Sequence, residues 1–470
     1  MANAYDAIII GTGQAGPYLA QRLTGAGMKI AVIERGRFGG TCVNTGCIPT
    51  KAMVASAYAA HLARRAADFG VTVTGAVSPD MRRVKARKDA ISGRSRTGVE
   101  GWLRGMANCK VYQGHARFVS AREVSVGAER LTSERIFINV GARAVIPELP
   151  GLDQIEYLTN SSLLEIDFLP EHLIIVGGSY VGLEFGQMFR RFGSDVTILE
   201  KGSRLLARED ADISEAIHKI LSDEGVQIRL NSRCIGFSKK GDRVAARADC
   251  TEGSPEVIGT NVLLAVGRRP NTDDLGVDKA GIAADAHGYI PVDDQLRTAV
   301  PGIWALGDCN GKGGFTHTSY NDGEIVAANL LDHDPRRVSD RIHAYALYID
   351  PPLGRAGLTE AEVRASGRRA LIGTRPMSRI GRAIEKGETQ GFMKILVDAQ
   401  THEILGAAVL GTGGDEVIHS ILDVMYAKAP YTVIRRAMHI HPTVSELIPT
   451  MLGELQPLAA DTAAVQGSAQ

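Results

Sequence analysis

The chain has 470 residues with 53 basic and 53 acidic side chains, so net charge makes no case for nucleic acid or an anionic membrane as a partner. At 44% apolar and 23% charged residues it has an ordinary globular composition, long enough for about three domains of roughly 100–200 residues. No apolar run reaches bilayer length, and Met1–Asn3 has no basic side chain ahead of the short stretch Ala7–Ile10, so neither a membrane span nor a signal peptide is expected and the expected location is cytoplasmic.

In chain order, Tyr5–Ile10 reads as a buried strand, Gly11-Thr12-Gly13-Gln14-Ala15-Gly16 as a glycine-rich turn, Pro17 to Thr24 as a helix and Lys29–Glu34 as a second strand. A diphosphate at a helix N-terminus needs backbone N–H groups facing it and no side chain in between. Gly11 allows the tight turn, Gly13 the close approach and Gly16 the packing of helix on strand. Glu34 stands where an acid binds a ribose 2′-hydroxyl. A lone G-x-G-x-x-G is a weak signal, but here the order strand, turn, helix, strand, acid is complete.

The segment Gly39 to Lys51 follows directly and carries Cys42 and Cys47, with four residues between them. Two thiols so spaced can close a disulfide at a distorted helix start, which Pro49, lacking an N–H, is expected to interrupt. A helix N-terminus also stabilises a thiolate. The rival is zinc, whose structural sites use cysteines about two to four residues apart plus two further ligands. Cys109, Cys234, Cys250 and Cys309 are scattered and read as buried apolar fillers. Six cysteines are too few for a secreted disulfide scaffold, and in a reducing compartment a close pair is catalytic or metal-binding.

Strand-like residues between Phe137 and Pro147 close this first region, and Pro147 to Leu169 reads as a connector. The fingerprint then returns, with strand Leu173–Val176, turn Gly177-Gly178-Ser179-Tyr180-Val181-Gly182, a helix to about Phe192 and strand Asp195–Glu200. Two dinucleotide sites follow from one motif used twice. Ser179 replaces the second glycine; its Cβ crowds the phosphate approach while its hydroxyl can donate. The carboxylate of Glu200 repels a 2′-phosphate and favours NADH over NADPH, while Lys201 and Arg204 either offset that repulsion or are simply solvated. Val262–Pro270 closes the second region, and Pro301–Asp308 is a further strand ending in Gly307-Asp308. Beyond about His343 there is no third fingerprint, only strands Gly391–Val397 and Ile404–Leu410 and a helix near Asp415–Lys428. The tail beyond Pro457 reads as mobile in part.

Cys42-Val43-Asn44-Thr45-Gly46-Cys47-Ile48-Pro49-Thr50-Lys51 resembles the active-site signature of the class I pyridine nucleotide–disulfide oxidoreductases, which include dihydrolipoamide dehydrogenase, glutathione reductase and mercuric reductase. The resemblance runs from Tyr5 to about Leu458. It includes Ile138-Asn139-Val140-Gly141-Ala142, Ala265-Val266-Gly267-Arg268-Arg269-Pro270-Asn271, Ala305-Leu306-Gly307-Asp308 and His439-Ile440-His441-Pro442-Thr443-Val444-Ser445-Glu446. The segment Phe315 to Asp322 looks like the mercuric-reductase-like subgroup, which includes flavoproteins of reactive-chlorine resistance.

The resemblance implies an α/β fold of two Rossmann-like dinucleotide-binding domains plus a C-terminal α+β dimerisation domain. Residues 1–150 and 271–342 form the FAD domain, 151–270 the NAD(P) domain, 343–458 the interface domain and 459–470 a flexible tail. It implies FAD as cofactor, with Cys47 as the charge-transfer thiol near the flavin and Cys42 as the interchange thiol. His441 is then the acid–base, supplied across an obligate homodimer, and Glu446 orients its ring. Lys51 and Glu184 resemble the ion pair beside the flavin N5, and Tyr180 the aromatic gate that covers the flavin until the nicotinamide enters. Asp308 resembles the residue that holds the ribityl chain. With it, Gly11, Gly13, Gly16, Glu34, Thr41, Gly177, Gly182, Glu200 and Gly267 make up the cofactor-binding set. These roles suit the chemistry: a thiolate is the nucleophile of disulfide exchange, histidine is the usual base near neutral pH, and an acid on its far nitrogen fixes the tautomer. His439 reads as structural.

The expected activity is hydride transfer from NADH, or NADPH, through FAD to a Cys42–Cys47 disulfide and on to a small disulfide or related oxidant. Dihydrolipoamide dehydrogenase, a mercuric-ion or other metal-ion reductase, and a non-catalytic redox sensor stay open as alternatives. Met451 to Gln456 and the tail lack the cysteines that deliver metal in mercuric reductases, and the intact His441–Glu446 pair argues against a sensor. Specificity is expected from the helix face around Ala55–Tyr58 and the partner's interface domain. Arg379 and Arg382 either bind an anionic substrate or are surface charges.

Overall fold

The computed structural model of the chain describes residues 3–249 and 255–459. Cys250, and the expected mobile tail from residue 460 on, lie outside them. The chain divides into two compact units, Met1–Glu171 with Gly236–Ala245 and Ile258–Arg341, and His172–Ile235 with Ala246–Val257 and Ile342–Gln470. Among the described residues no helix is long and apolar enough to cross a membrane.

In the first unit, among the described residues, a parallel sheet runs in the order Ile303–Ala305, Ile136–Ile138, Ala7–Ile10, Ile30–Glu34, Cys109–Gln113. Ala7–Ile10 is buried along its whole length, which is why it reads as a continuous apolar run and not as an alternating one. One face packs Leu19 and Leu23 of the helix Ala15–Gly25 with Ile325 and Val326 of the helix Thr316–Ala327. The other packs Phe118, Val124 and Leu131 from the antiparallel strands Ala116–Ser120, Glu123–Val126 and Glu129–Thr132. The first helix starts at Ala15, ahead of the expected Pro17, because a proline in the first turn loses no intrahelical hydrogen bond.

The same rule corrects the reading of Pro49. A short helix, Gly40–Asn44, ends and a new one, Cys47–Arg64, begins with Pro49 inside its first turn. The break therefore falls at Thr45 and Gly46, before the proline. A Cβ on Gly46 would lie 2.9 Å from the Thr41 carbonyl oxygen, so the bend admits only glycine at that distance. Cys42 and Cys47 sit on either side of it.

In the second unit the strands Gln227–Arg229, Asp195–Leu199 and His172–Val176 are parallel neighbours, and the helix Tyr180–Phe192 follows the last in space and the first in sequence. The C-terminal part is an antiparallel sheet in the order Ala344–Leu347, Leu353–Gly357, Ile404–Leu410, Phe392–Asp398, Ala370–Pro376, Gln456–Pro457. The helix Gly414–Tyr426 packs its Val417, Ile418 and Ile421 onto it. Both halves of the chain thus mix helix with sheet, as expected of the α/β class.

Candidate active site

The two fingerprint turns share one construction. Gly11 has φ +102° and donates its N–H to the Ile33 carbonyl at 2.8 Å; Gly177 has φ +115° and donates to Leu199 at 2.9 Å. Only glycine holds such a φ without strain. A Cβ on Gly16 would lie 2.6 Å from the Gly11 oxygen, and one on Gly182 would fall on the Gly177 oxygen, so both glycines bring helix against strand. A Cβ on Gly13 would meet the Asn139 side chain, with Nδ2 at 3.4 Å.

The acids at the strand ends are held alike. Glu34 accepts from Thr12 N at 3.0 Å, Thr12 Oγ1 at 2.5 Å and Gly36 N at 2.7 Å. Glu200 accepts from Gly178 N at 2.7 Å and Gly202 N at 2.6 Å. Each carboxylate is locked by the second residue of its turn and by the glycine two positions beyond itself. Fixed geometry with lone pairs to spare fits a ribose diol, and the first turn fits the flavin dinucleotide.

Three residues that sequence reasoning missed support these loops. Asn139 donates from Nδ2 to Gly13 O at 3.1 Å and Gly11 O at 3.4 Å, bracing the first turn. Asp322, 2% exposed, accepts from Gly307 N at 2.7 Å and Asn310 Nδ2 at 2.9 Å, and pairs with Arg341. It thereby holds the turn Gly307–Asn310 that carries Asp308. Burial pushes the Asp308 carboxyl up, and Arg268, with Nε 3.5 Å away, works against that. Gly267, at φ +126°, leads into Arg268–Pro270, which pairs antiparallel with Ala142–Ala144.

Ser179 is exposed at the N-cap of the helix Tyr180–Phe192, with no side-chain cap bond. That is a favoured position for serine. Arg204 donates from Nη2 to the Ala207 carbonyl at 2.8 Å, and both it and Lys201 are exposed. Glu184, buried on the same helix, accepts from Tyr348 N at 3.0 Å.

The cysteine centre lies in the first unit. Cys47 is the first residue of its helix, and its Sγ is 3.1 Å from the hydroxyl of Thr316, the first residue of the helix Thr316–Ala327. Two helix N-termini therefore converge on one sulfur, an arrangement that favours a thiolate. Thr316 is the third support missed in the sequence; it lies in the Phe315–Asp322 segment, but nothing local ties it to Cys47. Cys42 is half-buried and hydrogen-bonds Cys47. That bond first, then burial, push the Cys42 thiol well above its ordinary value, against smaller opposing effects of the Thr316 hydroxyl and the Lys51 charge.

Of the other cysteines, Cys309 is buried and pushed up to about 12 by burial, and Cys109 is half-buried and pushed up to about 11 by the same cause. Both suit apolar fillers. Cys234 does not: it is disulfide-bonded, a pairing that sequence distance alone hides. No cluster of metal-binding side chains occurs among the described residues.

In the second unit, His441 Nδ1 meets both oxygens of Glu446, at 2.9 and 3.1 Å. The imidazole is 80% exposed while Glu446 is mostly buried, so the acid orients the ring and leaves Nε2 facing outward. Thr443 and Glu446 exchange bonds at 3.4 and 3.2 Å that fix the acid. His439 contacts only the Ala437 carbonyl, at 3.2 Å, among the hydrogen bonds found for it. Arg382 is exposed and paired with Glu385 at 3.2 Å, and Arg379 is exposed. Both have the surroundings of surface charges.

The family profile described as pyridine nucleotide-disulphide oxidoreductase matches residues 5–323, and that of the family's dimerisation domain matches residues 343–452. The chain is 37% identical over 452 residues to a probable pyridine nucleotide-disulfide oxidoreductase RclA of Escherichia coli strain K12, covering 94% of this chain and 98% of that one. It is 32% identical over 447 residues to a dihydrolipoyl dehydrogenase of Thermus scotoductus, covering 94% and 96%. A solved structure titled HOCl-induced flavoprotein disulfide reductase RclA from Escherichia coli superposes with a TM-score of 0.88 at 36% identity, over 96% of this chain and 100% of that chain.

Proposed function

Because the chain belongs to the pyridine nucleotide–disulphide oxidoreductase family, and so is a dimerising FAD-dependent NAD(P)H:disulfide oxidoreductase, we propose that it reduces a small disulfide, or a related oxidant, with NADH through the pair Cys42 and Cys47. The observation that carries this reading is the hydrogen bond between Cys42 and Cys47 across the Gly46 bend, beneath the Thr316 hydroxyl. Bound FAD supplies the two-electron link between nicotinamide and disulfide.

The chain's own residues do the rest. The Cys42 thiol is held up by its neighbours, so it needs a base; His441 of the partner subunit takes its proton while Glu446 of the partner subunit steadies the imidazolium. The Cys42 thiolate attacks one sulfur of the substrate, forming a mixed disulfide and releasing one thiolate, which takes the proton back from the imidazolium. Cys47, poised as thiolate, then attacks Cys42, releasing the second thiolate and closing the Cys42–Cys47 disulfide. Two electrons have passed to the substrate, and NADH restores the dithiol.

Glu200, whose carboxylate stands at the end of the second strand and would repel a 2′-phosphate, supports NADH over NADPH. The cofactor set proposed is Gly11, Gly13, Gly16, Glu34, Thr41 and Asp308 for FAD, and Gly177, Tyr180, Gly182, Glu200 and Gly267 for the nicotinamide dinucleotide, with Lys51 and Glu184 serving beside the flavin. We assign residues 1–150 and 271–342 to the FAD domain, 151–270 to the NAD(P) domain and 343–458 to the interface domain, and the cytoplasm as location.

The test is an anaerobic titration of the purified flavoprotein with NADH and with NADPH, followed by visible absorption and thiol counting. Full reduction should consume two equivalents of dinucleotide per subunit and expose two new thiols that map to Cys42 and Cys47. A flavin that bleaches with one equivalent and no new thiol would exclude the disulfide relay, leaving a plain flavin reductase.

A further inference from the structure

Tyr180 is the first residue of its helix, and its ring stands edge-on to Tyr345, with centroids 5.4 Å apart and planes at 87°. The two side chains are also hydrogen-bonded. Tyr345, 7% exposed on the strand Ala344–Leu347, donates its own hydroxyl to Glu209, which is 2% exposed. Each hydroxyl has one proton, so with Tyr345 donating to Glu209 it is Tyr180 that donates to Tyr345.

Behind Glu209 the network goes on. Arg355 lies directly across the sheet from Tyr345, with Nε 3.9 Å from Glu209 and Nη2 3.1 Å from Asp210. Lys394 joins Asp210 at 2.9 Å and Asp212 at 2.8 Å. Arg355 and Lys394 are each 1% exposed, so the buried Glu209 carboxylate sits beside an ionic cluster with little freedom to follow a moving ring. An aromatic pair with a hydroxyl chain ending on a fixed carboxylate holds Tyr180 in one place.

We propose that Tyr345, anchored by Glu209, is a positioning residue that keeps the Tyr180 ring where an incoming nicotinamide must displace it. This rests on the reading of Tyr180 as the gate. Displacing the ring then breaks the Tyr180–Tyr345 bond, and that cost is subtracted from dinucleotide binding. Tyr345 thereby adjusts affinity through Tyr180.

The test uses purified, flavin-loaded enzyme and a tetrahydronicotinamide analogue of NADH that cannot give up hydride, titrated by calorimetry. Tyr345→Phe should bind the analogue about two- to tenfold more tightly, the factor carried by one net hydrogen bond. Glu209→Leu, which frees the Tyr345 hydroxyl by a separate route, should shift binding the same way. Glu209→Gln keeps an acceptor and should lie nearer the parent. In rapid mixing with NADH, the concentration giving half the maximal rate of flavin reduction should fall more than that maximal rate changes. Affinity that is unchanged or weaker in folded Tyr345→Phe and Glu209→Leu overturns the proposal. Tyr180→Ala separates the two readings. If it tightens binding while the other variants do not, only the positioning role fails; if it too leaves affinity unchanged, the gate reading fails and the proposal with it.

Discussion

Replacing Glu34 by Gln changes one atom in size and shape very little, yet the structure assigns it a definite effect. Glu34 is 9% exposed, and its two oxygens serve opposite sides: Oε2 takes the Thr12 N–H and hydroxyl, and Oε1 takes the Gly36 N–H. A glutamine has one acceptor oxygen. Whichever way the amide turns, its NH2 faces one of the two backbone N–H groups, and that donor, buried at Thr12 or partly exposed at Gly36, loses its charged acceptor. The Thr12 hydroxyl can rotate and donate elsewhere; a backbone N–H cannot. Losing a hydrogen bond to a charged acceptor costs about 1.5–3 kcal/mol, which converts to roughly 10- to 150-fold weaker retention of FAD if the turn must keep this shape to bind it. The assay is the rise of flavin fluorescence after dilution, with Thr12→Val as a companion variant that keeps the carboxylate but removes the hydroxyl, which donates to Glu34 and accepts from Gly39 N at 3.2 Å. Glu200→Gln breaks the matching arrangement in the second turn and should raise the KM for NADH while sparing FAD retention. FAD retention within about twofold of the parent in Glu34→Gln would refute the claim that this carboxylate holds the first turn.

Other outcomes follow from the same geometry. His441→Gln should cut disulfide turnover by about 10²–10⁴-fold while flavin reduction by NADH proceeds at its normal rate, since the base acts only on the thiol exchange; equal loss in both half-reactions contradicts the assignment. Because Cys47 is the first cause of the raised Cys42 thiol, Cys47→Ala should speed alkylation of Cys42 by iodoacetamide at mildly alkaline pH, read by mass spectrometry, and an unchanged rate speaks against that cause. Arg191→Met strips the counterion from Glu224 and Asp350, each 2.7 Å away in a site where the arginine is 6% exposed, and should lower stability to urea by about 3–5 kcal/mol; a loss under about 1 kcal/mol contradicts it. For Asp210, burial opposes ionisation, but Arg355 and Lys394 outweigh it and hold the carboxyl below its ordinary 3.8. Its contribution is therefore complete above that pH and is lost as pH falls through the lower folded-state value. Urea midpoints measured below pH 3.8 should depend less on pH in Asp210→Asn than in the parent; matching slopes would remove Asp210 from the acid response.

The division between what the chain order reveals and what it hides has a physical basis. Gly11, Gly13 and Gly16, and again Gly177 and Gly182, lie within one turn of chain, so their spacing is visible in the letters themselves. The same holds for Cys42 and Cys47 across one bend and for His441 and Glu446 on one loop, where a local contact and a local string of letters coincide. Pro49 shows the limit of local reasoning, since its effect depends on its place within a turn, and the helix boundary lay two residues before it. What folding alone decided is every partner drawn from far along the chain. Asn139 reaches the first turn from the end of another strand, Thr316 comes to Cys47 on another helix, and Tyr345 meets Tyr180 and Glu209 only because the antiparallel sheet puts it beside Arg355. Taken singly, a threonine at a helix start, a strand tyrosine or an asparagine just past a strand carries no periodic signal. Their contacts arise from distances that close only when the sheets assemble, and that is why the cysteines, histidine and glycines proposed for the chemistry were legible in the sequence while the residues that hold them in place were not.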